Sequence, residues 1–171
     1  MTNRISAILA KIDSISDGAG KLASFLAPAC MLVVVYEVAM RYAFNAPTVW
    51  AQETSTLTYA FLFTLGGCYV LRHHGHVSLD IVVGRLSPKV RAIIDVVLTP
   101  VLFFSFFGVL AWFSSKTAWA SLLIQEHTQS PWGPPFYPVK ISLAIGAALM
   151  LLQGVAHWVR RLVFALTEKE I

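Results

Sequence analysis

Two stretches of the 171-residue chain hold side chains whose types and spacing could do chemistry. The first reads RHHGHVSLD, Arg72 to Asp80, with His73, His74, His76 and Asp80 close together. Imidazole and carboxylate groups at short spacing are the ligands of zinc and related metals, which often mean catalysis. The second begins at Glu37, followed four residues later by Arg41 and then, past Trp50, by Glu53. An acid and a base four apart share one face of a helix, where they can either relay protons or clamp.

The rest of the chain decides between these chemistries. It is 57% hydrophobic and 13% charged, with a mean hydropathy of +0.68. Soluble domains are roughly 45–50% apolar and about 25% charged, so the balance points to lipid as the solvent. Four apolar stretches are long enough to cross a bilayer as helices: 22–44, 54–71, 93–113 and 138–159. The expected fold is all-α, one four-helix membrane domain over residues 1–171, because only a helix or a closed barrel satisfies its backbone inside lipid. No ten-residue alternation of the barrel kind is present. Lysine and arginine gather before the first span, between spans two and three and after span four. The positive-inside rule then puts both termini and the 72–92 loop in the cytoplasm. The net charge of +4 is spread between apolar blocks and does not suggest nucleic acid. The first apolar run starts near Leu22 and lacks a small-residue cleavage site, so no cleavable signal is expected.

Smaller features fit this frame. Ser87 reads as an N-cap, and Pro88 and Pro138 suit first helical turns. Tyr42, Phe44, Trp50, Trp132, Phe136 and Tyr137 form an aromatic belt on the outer side. Cys30 and Cys68 lie in apolar runs and read as packing residues. Gly66, Gly67, Gly108, Gly146 and Gly154 read as close helix contacts, while Pro100 and Gly108 are placed to bend span three. In residues 4–15, the stripe Ile5, Ile8, Leu9, Ile12 and Ile15 has helical spacing, with Arg4, Lys11 and Asp13 off it. That segment either lies among the lipid headgroups or extends the first span as a packed helix.

Against this background the metal reading weakens. His76 and Asp80 stand one turn apart, but no third or fourth ligand converges on them. Gly75 interrupts the helix, so the stretch reads as a hinge between a span and an interfacial helix, with Arg72 and the histidines meeting phospholipid headgroups. His127 and His157 also fall in loops or at helix ends, which does not suit a haem held between facing helices. No phosphate-cradling or nucleophile motif is present. No cofactor, metal site or catalytic residue is therefore expected. Glu37 lies past the midplane of span one, and by depth Glu53 is expected to pair with Arg41. A relay would want further ionisable groups in the inner half of the spans, and only Asp95 and His157 approach it, at its edge. The clamp is the plainer reading. A stand-alone four-helix exporter exchanging protons at Glu37 is the alternative.

The order of these features resembles the small membrane subunit of tripartite ATP-independent periplasmic (TRAP) transporters, the DctQ-like family. The resemblance rests on YEVAMRYAFNAPTVWAQE (Tyr36 to Glu53), on YAFLFTLGGCYVLRHHGHVSLDIV (Tyr59 to Val82) and on the proline-aromatic loop before span four. It implies a non-catalytic subunit in the bacterial inner membrane. Its partners would be a large, DctM-like membrane subunit and a periplasmic, DctP-like solute-binding protein. The large subunit would carry the sodium and organic-acid sites. The small one would brace and enlarge that scaffold and help dock the binding protein. On this reading Glu37, Arg41, Trp50, Glu53, His76 and Asp80 are structural or docking residues.

Overall fold

The computed structural model describes residues 2–73 and 87–167. His74, His76 and Asp80 lie outside them. Among the described residues there is no strand, only an isolated bridge between His127 and Pro135, and four helical segments are long and apolar enough to cross a membrane. The all-α membrane fold expected from the apolar runs is the one observed.

The first helix, α1 (Thr2–Tyr42), is continuous through Pro28. At about 1.5 Å per residue it is roughly 60 Å long, twice the hydrocarbon thickness of about 30 Å. Residues 4–15 are thus the opening turns of the same helix that holds the first span. Their apolar stripe does not stay together, since Leu9 is buried while Ile8 and Ile15 are exposed. The packed face instead runs Leu9, Ser16, Ala23, Cys30 and Glu37, a residue every seven, all buried except half-buried Cys30. A seven-residue repeat keeps one seam of a helix facing its neighbour.

That neighbour is α2 (Ala51–Arg72). The third span combines α3 (Pro88–Leu98), a π-helical stretch over Thr99–Phe104 and α4 (Ser105–Leu123). Ser87 caps α3 by accepting from the Val90 N–H at 3.4 Å, with Pro88 in the first turn. Pro100 has no N–H to return to the Val96 carbonyl, and the wide π turn accommodates its ring. The Trp158 indole N–H of α5 (Tyr137–Thr167) donates to that carbonyl at 3.0 Å. The helix continues to Leu123, past the end of the apolar run at residue 113. Ser114 and Ser121, with Ala118, are buried against the bundle, so these polar residues are seam positions and not the end of the helix.

The helices pack as a row, α1 on α2, α2 on α5 and α5 on α4, with α1 also reaching α5. Small residues let them approach. A Cβ on Gly146 of α5 would overlap the Thr64 carbonyl of α2, and one on Gly154 would overlap the Phe103 ring. A Cβ on Gly67 would meet Met150 Sδ at 3.3 Å. Gly108, expected at a contact, faces open space. The central helix α5 is the most buried, whereas the edge helices α1 and α4 turn Phe25, Met31, Leu32, Phe106, Trp112 and Trp119 outward.

Candidate functional site

Polar side chains gather at the two ends of the row. At the loop end, Asn45 adopts a left-handed conformation (φ 49°) and folds the chain after α1 back on itself. Thr48 is thereby brought under Glu37. The Thr48 N–H donates to Glu37 Oε2 at 3.1 Å, and its hydroxyl donates to the same oxygen. Arg41 takes the other oxygen, Nη2 at 2.6 Å and Nε at 3.2 Å. Both carboxylate oxygens of the buried Glu37 are therefore occupied, and the acid fastens the last turn of α1 to the α1–α2 turn. Trp50 precedes α2, its ring 5.5 Å from that of Tyr36. A shallow pocket of about 270 Å³ opens on the clamp, lined by Glu37 and Arg41 themselves with Val34, Val38, Tyr42 and Gln52 among others.

Glu53 does not pair with Arg41, as its depth had suggested. Its Oε2 accepts from the Thr128 hydroxyl at 3.2 Å, so it ties α2 to the α4–α5 loop. Depth alone does not specify which way round the helix a side chain points. The same loop is closed by Glu126, which takes Lys140 from α5 and the Ser121 hydroxyl at 2.6 Å. The Lys140 ammonium, then the Ser121 hydroxyl, hold the Glu126 carboxyl below its ordinary pKa.

The termini end is denser and joins helices far apart in sequence. Asp13 of α1 accepts from both terminal guanidinium nitrogens of Arg160 of α5, at 2.6 and 3.3 Å. Gln153 Nε2 donates to Asp13 Oδ1 at 3.0 Å, while Gln153 Oε1 accepts from Ser16 Oγ at 2.8 Å. Arg72 of α2 donates to the Asp13 carbonyl at 2.8 Å and pairs with Asp17. His73 Nε2 also faces Asp17, at 3.3 Å. Close by, Arg161 pairs with Asp95 of α3 at 3.3 Å. Buried Ser16 and Gln153 are fully paired, as polar groups removed from water must be.

The sequence reading missed this cluster. Its spacing places Asp13 off the apolar stripe of residues 4–15 and names no partner for it, and Arg72 is expected among the lipid headgroups. A signal was present, because Asp13 and Asp17 are four apart and arginines close spans two and four at the same end. Of the six residues singled out, Glu37 and Arg41 come together, Trp50 stands nearby and Glu53 faces elsewhere. His76 and Asp80 are outside the described residues.

Residues 30–164 match the family described as tripartite ATP-independent periplasmic transporters, DctQ component. The C4-dicarboxylate TRAP transporter small permease protein DctQ of Vibrio cholerae serotype O1 is 27% identical over 70 residues. That alignment covers 41% of this chain and 30% of the relative's length, so it spans less than a third of that protein.

Proposed function

The chain belongs to the DctQ component family of tripartite ATP-independent periplasmic transporters, and from that premise we propose that it is a rigid, non-conducting membrane brace. In this role it sits in the bacterial inner membrane beside a large transport subunit and widens that subunit's footprint. It also helps seat a periplasmic binding protein at the loop end. The cargo is a small organic acid moved with sodium, handled in the partner chains; the Vibrio cholerae relative is named for C4-dicarboxylate. One observation carries the reading. Each described carboxylate, namely Asp13, Asp17, Glu37, Glu53, Asp95 and Glu126, already has a partner within the chain. The charges thus go into holding the helix row together, while the edge helices face outward with apolar surface.

A proton-exchanging exporter would need Glu37 free to take up and release a proton, whereas both of its oxygens are held by Arg41 and Thr48. The test is to purify the chain with its neighbouring transporter subunits and reconstitute them in liposomes with and without it. The brace reading expects sodium-driven uptake to need the chain, and the chain alone to move neither protons nor organic acid. Proton flux through the chain alone would refute it.

A further inference from the structure

Among the described elements, the third span alone is divided, into α3, the π-helical stretch Thr99–Phe104 and α4. A proline by itself does not force such a division, since α1 runs through Pro28 as one helix. At Pro100 the missing N–H leaves the Val96 carbonyl without its intrahelical donor. The π pattern then replaces the α-helical ladder over six residues. Proline and a π turn are each a recognised origin of a sharp kink, and here they coincide. The backbone tie between α3 and α4 is weakest at this point.

What holds α3 in place comes from α5. Gly154, Trp158 and Arg161 are four and then three residues apart, so they share one face of that helix. Against them stand, in turn, Phe103, Val96 and Asp95. A Cβ on Gly154 would overlap the Phe103 ring, so the π stretch is seated directly on the α5 backbone. The Trp158 indole N–H donates to the Val96 carbonyl at 3.0 Å, and its ring meets that of Phe104 edge-on, centroids 6.5 Å apart. Arg161 Nε lies 3.3 Å from Asp95 Oδ2. The donor that Pro100 takes from the backbone of the third span is thus returned by a side chain of its neighbour.

We infer that Thr99–Phe104 is a hinge and that Trp158, backed by Arg161, is the latch that fixes the direction of α3. Trp158 is a positioning residue, acting through the Val96 carbonyl. With the latch released, α3 turns about the π stretch, while α4 stays packed on α5 with Ser114, Ala118 and Ser121 buried. The latch belongs to the chain itself and is tested on the full chain purified in detergent, whatever partners the chain has in the membrane.

Trp158→Phe keeps an aromatic ring and removes the donor. Followed by hydrogen exchange, it should speed the amides of residues 93–98 at least about fivefold, the effect of stranding one carbonyl, and leave those of residues 108–123 unchanged. Adding Arg161→Gln should speed the same amides further. Pro100→Ala restores an N–H that can return to the Val96 carbonyl, which makes the indole donor redundant. In that background Trp158→Phe should change nothing, an outcome that a merely space-filling tryptophan would not give. Unchanged exchange of residues 93–98 in Trp158→Phe would overturn the proposal. So would equal acceleration of α3 and α4, or the full effect of Trp158→Phe persisting alongside Pro100→Ala. Should Pro100→Ala not fold, the comparison of α3 with α4 in Trp158→Phe alone still decides.

Discussion

The loop end and the termini end of the helix row are both fastened by buried or half-buried carboxylates, but over different reaches of chain. At the loop end the donors to Glu37 are Arg41, four residues on, and Thr48, eleven residues on. At the termini end Asp13 meets Arg160, 147 residues away. The first closure shapes one turn. The second chooses which helices are neighbours, since Asp13, Arg72, Gln153 and Arg160 bring α1, α2 and α5 to one point. In lipid the hydrophobic effect gives little preference among neighbours, so such long-range polar contacts bear more of the specificity.

This contrast can be broken or sharpened by substitution. The largest effect is expected for Asp13→Ala, which strips Arg160 and Gln153 of their shared acceptor. Breaking a buried pair costs about 3–5 kcal/mol. Arg160 remains 31% exposed, so about 2–3 kcal/mol is expected, read as lower thermal stability of the detergent-purified chain and detachment of the first turns of α1 under limited proteolysis. Gly146→Ala should follow, at about 1–3 kcal/mol, because the new methyl meets backbone of α2. Gly154→Ala should cost less, as the Phe103 ring can turn aside.

Glu37→Gln should cost less than Asp13→Ala, since the amide cannot accept from both Arg41 and Thr48 as the carboxylate does. Its consequence should stay local, with faster proteolysis in the 43–50 turn and α1 still packed on α5. If Glu37→Gln released α1 from α5 as Asp13→Ala does, the distinction between the two ends would be lost. The smallest effect belongs to pH. The Glu126 carboxyl titrates below its ordinary value, so its contribution is complete above that ordinary pKa. The contribution fades as pH falls through the lowered one. Loosening of the α4–α5 loop on acidification should be followed by hydrogen exchange, and Glu126→Gln should remove that dependence.

What could be read from sequence divides along the same line. The four spans, the Ser87 cap and the Glu37–Arg41 pair depend on run length or short spacing, and each is present. The seam of α1 was hidden. Leu9, Ser16, Ala23, Cys30 and Glu37 repeat every seven residues, but lipid-facing Phe25, Met31 and Leu32 are more apolar. In a membrane, apolar periodicity therefore marks the outside as readily as the inside. The third helix outruns its apolar stretch for a related reason, because Ser114 and Ser121 are buried on its packed side. The pairing of Asp13 with Arg160 was out of reach because it depends on the order of helices in the row, which no local pattern encodes.

The central claim is that the charged residues of this chain hold its shape and carry nothing across the membrane. The most direct measurement is to reconstitute the transporter with Asp13→Asn, Arg160→Gln, Glu37→Gln and Arg41→Gln chains, quantify the assembled complexes, and express uptake per complex. The account predicts fewer complexes, most of all for Asp13→Asn and Arg160→Gln, with uptake per complex unchanged throughout. Full assembly together with lost uptake per complex, above all for Glu37→Gln, would contradict it.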